Sequence, residues 1–538
     1  MSDWEIPDLN TQANDFARYG EEVVQWIAEY LRAPEKYPVL SRCQPGEIKA
    51  QLPPHPPAAP ETMDAILADF SSILMPGMTH WNHPGFMAYF ANSSPAPGVI
   101  AEALAAALNQ NAMLWRTSPA ATELEEVVLG WLAQMLGMPE GRRGLITDTA
   151  SISSLLAICA AREAIPGLDI RTKGLSGRTD VPRLRLYCSE QAHSSIERAA
   201  MTLGIGQEGV RKIPTDSHFR MDVGALRQAL LEDTKREPKQ ELNKDKDPKG
   251  GEEARAEWLP FCVVATVGTT STTAVDPVPE IAALCREYGL WLHVDAAYGG
   301  AVALVPEYRH LMAGCEEADT IVINPHKWLF TPMDCSVLFA RDMNALRRAF
   351  SLVPDYLMTE GDVTNFMDYG VQLGRRFRAL KLWMIIRAFG TEAMGALIRE
   401  HIRLAQIFAE WIDASPDFER LAPVPMSAVC FRARPHDMED KAANQAANHT
   451  TDEAADKTSS GKSAETSLDA ITEARSETLN TRLMEAVNAT GEIFISHTKL
   501  NGRYTLRLAI GNMHTREKHV ARAWQLLNDC LAAINGTA

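Results

Sequence analysis

Between residues 183 and 340 the chain repeats one texture: a short run of β-branched and aromatic residues, then a stretch whose apolar positions recur at helical spacing. The runs "RLRLYC" (183–188), "FCVVATV" (261–267), "LWLHVD" (290–295), "TIVIN" (320–324) and "CSVLFA" (335–340) have the length and composition of strands. Strands without polar alternation, separated by helices, predict a mainly parallel sheet covered on both faces, within a large domain spanning 96–405. The segment "SPAATELEEVVLGWLAQML" reads as a helix capped by Ser118, with Pro119 in its first turn. Its expected core face carries Leu124, Val127, Val128, Trp131 and Met135.

The texture changes on either side. Residues 1–95 form an N-terminal segment with a helix over 13–33 and a proline-stiffened connector, "QLPPHPPAAP" (51–60). Residues 406–538 read as a smaller C-terminal α+β domain, because the tail after 475 runs helix, "GEIFIS", "RYTLRLAI", helix. Two stretches interrupt the pattern. The charge-dense segment 232–257 reads as a solvated surface insertion, and 434–470, which has no aromatic residue, as a mobile loop. "GIGQEG" (204–209) matches a dinucleotide fingerprint letter for letter, but a helix precedes it and a strand comes after, the reverse of what phosphate binding needs. Gly204 is read as a helix C-terminal cap instead.

Composition removes several function classes. A net charge of −16 argues against a nucleic-acid partner, which would need clustered basic residues. Nine cysteines without a C-x-x-C spacing suggest neither a disulfide framework nor a metal site, and fit reduced thiols in a cytoplasmic setting. The start, "MSDWEIPDLN", has no apolar leader, and no run of apolar residues is long enough to span a membrane.

Candidate chemistry collects where strands end. In a parallel sheet, reactive groups lie outside the carboxyl ends of the strands. "LWLHVD" ends on Asp295, and "TIVIN" leads into Asn324, His326 and Lys327. "LITDTASISSLLAICAARE" (145–163) passes from apolar residues through Thr149, Ala150 and Ser151 into a helix, which aims free N–H groups at an anion. His193 comes just after the strand candidate 183–188. Each feature alone has an ordinary explanation: a salt bridge, a helix cap, a structural histidine. Together, an amine, a carboxylate, a ring and an anion hole describe a site for pyridoxal 5'-phosphate, with Lys327 forming the Schiff base and Asp295 pairing with the pyridine nitrogen. Desolvation beside Trp328 is expected to favour the neutral amine.

The segments "NPHKW", "HVDAAYGG", "QAHSSIERA", "ATVGTTSTTAVD", "THWNHPGFMAYF", "TSPAATELE" and "LGRRFRALKLW" resemble, in order, the signatures of the group II pyridoxal-phosphate decarboxylases, and among them the aromatic-L-amino-acid decarboxylases. The resemblance implies a fold-type I α/β enzyme, a carboxy-lyase that converts an aromatic L-amino acid into its arylalkylamine. It implies Lys327, Asp295, His193 and Tyr356 as catalytic residues, Tyr356 lying in the loop "SLVPDYLMTE" and supplying a proton after carbon dioxide leaves. It implies Ala150, Ser151, Asn324 and His326 as phosphate holders, Thr270 and Ala297 as ring neighbours, and Trp81, Tyr89, Asn92, Met113 and His193 at the substrate. It also implies a homodimer, with the N-terminal helices wrapped around the partner.

The chain departs from the pattern at Asp148, an acid beside the phosphate run expected to turn away or act as a cap, and at Ala91, Asn92 and Met113. These departures leave the preferred side chain open. Gly374 is typical of members that take bulky aromatic substrates, which argues against histidine decarboxylation. A glutamate decarboxylase would need a cationic contact that the sequence does not place. An aromatic aldehyde synthase, with phenylalanine usual at the loop position, is the nearest rival, and a non-catalytic binding protein is the rival from another class.

Overall fold

The computed structural model of the chain describes residues 9–234, 258–352, 363–435 and 461–536. Seven strands form the larger sheet: β1 (Arg143–Thr147), β2 (Arg183–Ser189), β3 (Val210–Ile213), β4 (Trp258–Thr266), β5 (Trp291–Asp295), β6 (Thr320–Ile323) and β7 (Ser336–Ala340). Their spatial order is β1-β7-β6-β5-β4-β2-β3. The pairs β2/β3, β2/β4, β4/β5 and β5/β6 are parallel, and β7 is inserted antiparallel between β1 and β6. Val263, Val264, Val294 and Val322 are wholly inaccessible, as strands covered on both faces require, which explains why these runs read as continuous apolar stretches.

The helix Pro119–Met135 is in place, but its expected face is rotated. Val127 is 47% exposed, whereas Val128, Leu129, Leu132 and Ala133 are buried. Glu125 is buried as well, because the Arg375 guanidinium pairs with it at 2.6 Å, so a polar residue occupies a core position that a hydrophobic count passes over. Ser118 precedes this helix without capping it: its hydroxyl is 3.3 Å from Gln110 Oε1. A helix over Ser195–Thr202 precedes the "GIGQEG" run, Gly204 has φ +75°, and β3 comes next.

A second, antiparallel sheet has the order β10-β11-β9-β8, built from β8 (Phe418–Arg420), β9 (Ala428–Ala433), β10 (Ser496–Leu500) and β11 (Arg503–Ala509). The expected strand "GEIFIS" is displaced: β10 starts at Ser496, while Phe494 exchanges backbone hydrogen bonds with Gly85 and Met87. The helices Ala379–Ala414, Gly461–Ala489 and Glu517–Gly536 cover this sheet, burying Phe408, Ile412, Leu483 and Leu527. Gly390, at φ +69°, breaks the first of them into two segments, and the second segment runs through 405. Residues 235–257 and 436–460, most of the two expected insertions, lie outside the described residues; 461–470, expected as loop, belong to a helix.

Candidate functional site

β5 ends on Asp295 and β6 runs directly into Asn324; because the two strands pair in parallel, the loops leaving their carboxyl ends emerge at one edge of the sheet. The Asn324 N–H donates to the Ala297 carbonyl at 3.1 Å, and the Ala297 N–H donates to Asp295 Oδ1 at 3.1 Å. The carboxylate is thereby held, buried, at the floor of the crevice.

Lys327 stands in the turn after β6, its N–H donating to the Asn324 carbonyl at 2.9 Å. Burial lowers the pKa of its amine; Asp295 opposes that shift and Arg507 adds to it. The ring beside the amine is Phe90, with its centroid 5.4 Å from Nζ. Trp328, expected in that place, turns into the core, where it stacks on Tyr298 at 4.5 Å and donates Nε1–H to His401 Nδ1 at 2.9 Å.

His193 enters from the loop after β2. Its Nδ1 accepts the Ser195 N–H at 3.2 Å, which fixes the ring and leaves Nε2 to carry the proton of the neutral form. Burial lowers its pKa, Asp295 opposes, and Lys327 adds to the lowering, so these three groups share one electrostatic environment.

The helix Ala150–Glu163 begins at the same edge, with Thr149 extended before it and no side chain capping its first turn. The Ala150 and Ser151 N–H groups have no carbonyl one turn back within the helix, and are donors for an anion. The start is pinned by a chain of buried hydroxyls, Thr147 to Ser153 at 2.8 Å and Ser153 to Ser336 at 3.0 Å. Asp148 does not cap the helix: its Oδ1 accepts the N–H of Thr149, the residue before the first turn, at 2.5 Å, and its Oδ2 accepts Gln372 Nε2–H at 3.1 Å.

Two neighbours complete a polar cradle. His326 is held neutral, burial pushing its pKa down to about 3, and its Nδ1 accepts the Cys335 N–H at 2.9 Å. Asn324 Oδ1 is buried with no hydrogen-bond partner among the described residues. An orphaned amide next to free helix N–H groups fits an anionic ligand, since turning the amide over offers that ligand its NH2 donor. Amine, carboxylate, imidazole and anion cradle suit a phosphorylated pyridine aldehyde. Ala297 is buried against this edge and Thr270 is exposed in the turn after β4.

The residues expected at the substrate divide. Trp81 and Tyr89 are 39% and 52% exposed and stack at 6.3 Å, on the segment that carries Phe90. Asn92 Nδ2 is 3.5 Å from the Met333 sulfur, and the Met113 sulfur is 3.1 Å from Asn111 Nδ2; neither is bonded to Asp295 or Lys327 among the described residues. Gly374 needs no glycine within this chain, because a Cβ there would meet only Asn111 at 3.9 Å. Tyr356 lies outside the described residues. Sequence reasoning missed Phe90 and Arg507; the only signal was a charged residue within the otherwise apolar run "TLRLAI".

Comparison with known proteins agrees with this chemistry. The chain is 37% identical over 524 residues to tyrosine decarboxylase 2 of Arabidopsis thaliana, covering 94% of this chain and 85% of that protein. It is 36% identical to phenylacetaldehyde synthase of the same plant, covering 95% and 94%. The crystal structure of Oryza sativa TDC with PLP and tryptamine superposes with a TM-score of 0.84 at 33% identity, covering 98% of this chain and all of that one, so the fold is the fold-type I arrangement of a pyridoxal-phosphate enzyme. The pyridoxal-dependent decarboxylase conserved domain matches residues 45–238 and 245–434, the stretch that contains Lys327, Asp295, His193 and the anion cradle; the chain belongs to the pyridoxal-dependent decarboxylase family.

Proposed function

We propose that this chain removes the α-carboxyl group of an aromatic L-amino acid, releasing carbon dioxide and the arylalkylamine. Similarity to a tyrosine decarboxylase over nearly the whole chain supports the substrate class. The observation that carries the chemistry is a desolvated lysine at the edge of the sheet where a buried carboxylate and an orphaned asparagine oxygen also converge. When bound, pyridoxal phosphate supplies an electron-withdrawing ring that stabilises negative charge at the substrate's α-carbon.

In this reading Lys327 holds the cofactor covalently, Asp295 keeps a ring nitrogen protonated, and Ala150, Ser151, Asn324 and His326 hold the phosphate. His193, fixed through Nδ1, presents its other edge to the crevice and orients the substrate, while Thr270 and Ala297 flank the ring. Trp81 and Tyr89 supply apolar surface for an aromatic side chain, and Tyr356 delivers the proton to the carbon that loses its carboxyl group. A homodimer is supported by Ile100, Leu104 and Leu108, exposed along one side of the helix Ala96–Leu108, an apolar stripe that a single chain leaves uncovered.

Similarity to phenylacetaldehyde synthase favours one second reading, in which oxygen and water convert the decarboxylated substrate into aldehyde, ammonia and peroxide. One assay separates the two: amine formation from tryptophan, tyrosine, phenylalanine and dihydroxyphenylalanine, with peroxide and ammonia followed in parallel. Amine without peroxide supports the decarboxylase; stoichiometric peroxide overturns it. Tyr356→Phe should lower amine yield and release peroxide under air. Borohydride reduction with peptide mapping should place the pyridoxyl group on Lys327, and a label on another lysine refutes that assignment.

A further inference from the structure

Arg507 lies on β11 of the smaller sheet, yet it reaches the crevice of the larger one. It is 4% exposed, its Nη1–H donating to the Ala88 carbonyl at 2.8 Å and its Nε–H to the Ser271 carbonyl at 3.1 Å, while Nη2 is buried without a partner among the described residues. Among the described residues, the ionisable groups acting on it are Cys430, Tyr298 and Tyr89, a thiol and two phenols, with no carboxylate to balance the guanidinium. Its Cζ lies 4.6 Å from the centroid of Phe90, the ring that Lys327 Nζ approaches at 5.4 Å. Tyr298 stacks on Phe90 at 3.6 Å with the planes 10° apart, which leaves one face and the edges of that ring for both cations.

A single benzene quadrupole does not offset two buried positive charges. Of the two groups the lysine is the one that yields its proton more readily, because a guanidinium stays protonated to far higher pH than an ammonium. Among the groups facing Lys327, burial lowers the amine most, Asp295 opposes it by favouring the ammonium, and Arg507 adds to the lowering, while His193 and His326 are themselves lowered by burial.

We propose that Arg507 is a positioning residue for Lys327: its fixed charge, carried across from the smaller sheet and seated on Phe90, biases the lysine toward the uncharged nucleophile and counters the pull of Asp295. This deepens the reading of Lys327 as the cofactor's attachment point and rests on it. It also makes the reactivity of the amine depend on how the smaller sheet docks, because Ala88, Ser271 and β11 come from three separate stretches of chain.

The test uses cofactor-free, full-length protein. Lys327 is acetylated competitively with acetic anhydride across a pH series and quantified by peptide mass, which gives the midpoint of its titration without any turnover. In the wild type the midpoint should lie below the ~10.4 of free lysine. Arg507→Gln should raise it by about one pH unit, a tenfold fall in labelling below the midpoint. A folded Arg507→Gln protein with an unchanged midpoint overturns the proposal, as does a wild-type midpoint at or above that of free lysine, a result that stands even if the neutral variant does not fold. If borohydride trapping in wild type and variant still labels Lys327, the attachment reading survives the failure of this one.

Discussion

Two asparagines, Asn324 and Asn480, are both almost fully buried and are treated in opposite ways. Asn480, in the helix beside the smaller sheet, has every polar group occupied: Oδ1 accepts the Ala433 N–H at 2.8 Å, and Nδ2 donates to the Ala433 carbonyl at 3.0 Å and the Ser476 carbonyl at 2.9 Å. It stands in for a strand neighbour, because β11 pairs with β9 only as far as Phe431 and would otherwise leave the last residue of β9 open. Asn324, at the end of β6, keeps an oxygen with no partner among the described residues. The same contrast holds for charge: Arg432 pairs with Glu473 at 2.7 Å and Arg503 with Glu419 at 2.6 Å in the smaller sheet, whereas the crevice of the larger one holds Lys327 and Arg507 beside a single carboxylate, Asp295. One region satisfies its polar groups internally to hold a fold. The other leaves polar groups unsatisfied among the described residues, the pattern of a site built for a ligand.

The largest effect that would sharpen this contrast is expected at the satisfied residue. Asn480→Ala strips two backbone groups of their partner and should cost about 3 kcal/mol in urea unfolding, with cofactor affinity unchanged. Equal losses of stability and affinity would break the distinction. Asn324→Ala should do the reverse, weakening pyridoxal phosphate about tenfold in an absorbance titration while the cofactor-free protein keeps its stability to within about 0.5 kcal/mol.

A smaller effect comes from pH. His293, His326 and His401 have folded pKa values pushed down by burial to about 4, 3 and 3, below the 6.5 of an unfolded histidine. The unfolded chain therefore takes up protons first, so their stabilisation is complete above pH 6.5 and is lost as pH falls toward the folded values. His401→Gln keeps an acceptor for Trp328 Nε1–H without titrating, and should flatten the loss of stability by about 1 kcal/mol between pH 6 and pH 5 in urea melts. The smallest effect is expected from deleting 436–460, a polar, alanine-rich segment whose one large apolar residue is Met438: stability within about 0.5 kcal/mol and unchanged amine production.

Five strands of the larger sheet, β2 and β4 to β7, were legible because they are buried along most of their length on both faces, which writes itself as an apolar run, whereas the edge strand β3 is largely accessible. The edge where chemistry gathers was legible too, since Asp295 and Asn324 end runs of that kind. The helix Pro119–Met135 was legible in position but not in rotation, because Glu125 is buried through a partner, Arg375, that lies far along the chain. β10 was displaced for a similar reason: Phe494 pairs with the segment around Phe86 instead of entering the sheet, a choice made by distant backbone.

The sequence by itself determined the layered α/β architecture, the lysine and its acid, and the family, because periodicity and short contiguous motifs are local properties of a chain. Only the tertiary structure decided which ring desolvates Lys327, how Asp148 is accommodated, and that Arg507 from the smaller sheet faces an amine on the larger one. Those outcomes depend on distances between residues far apart in sequence, and a buried charge acts through distance and dielectric, neither of which is written in the order of the residues.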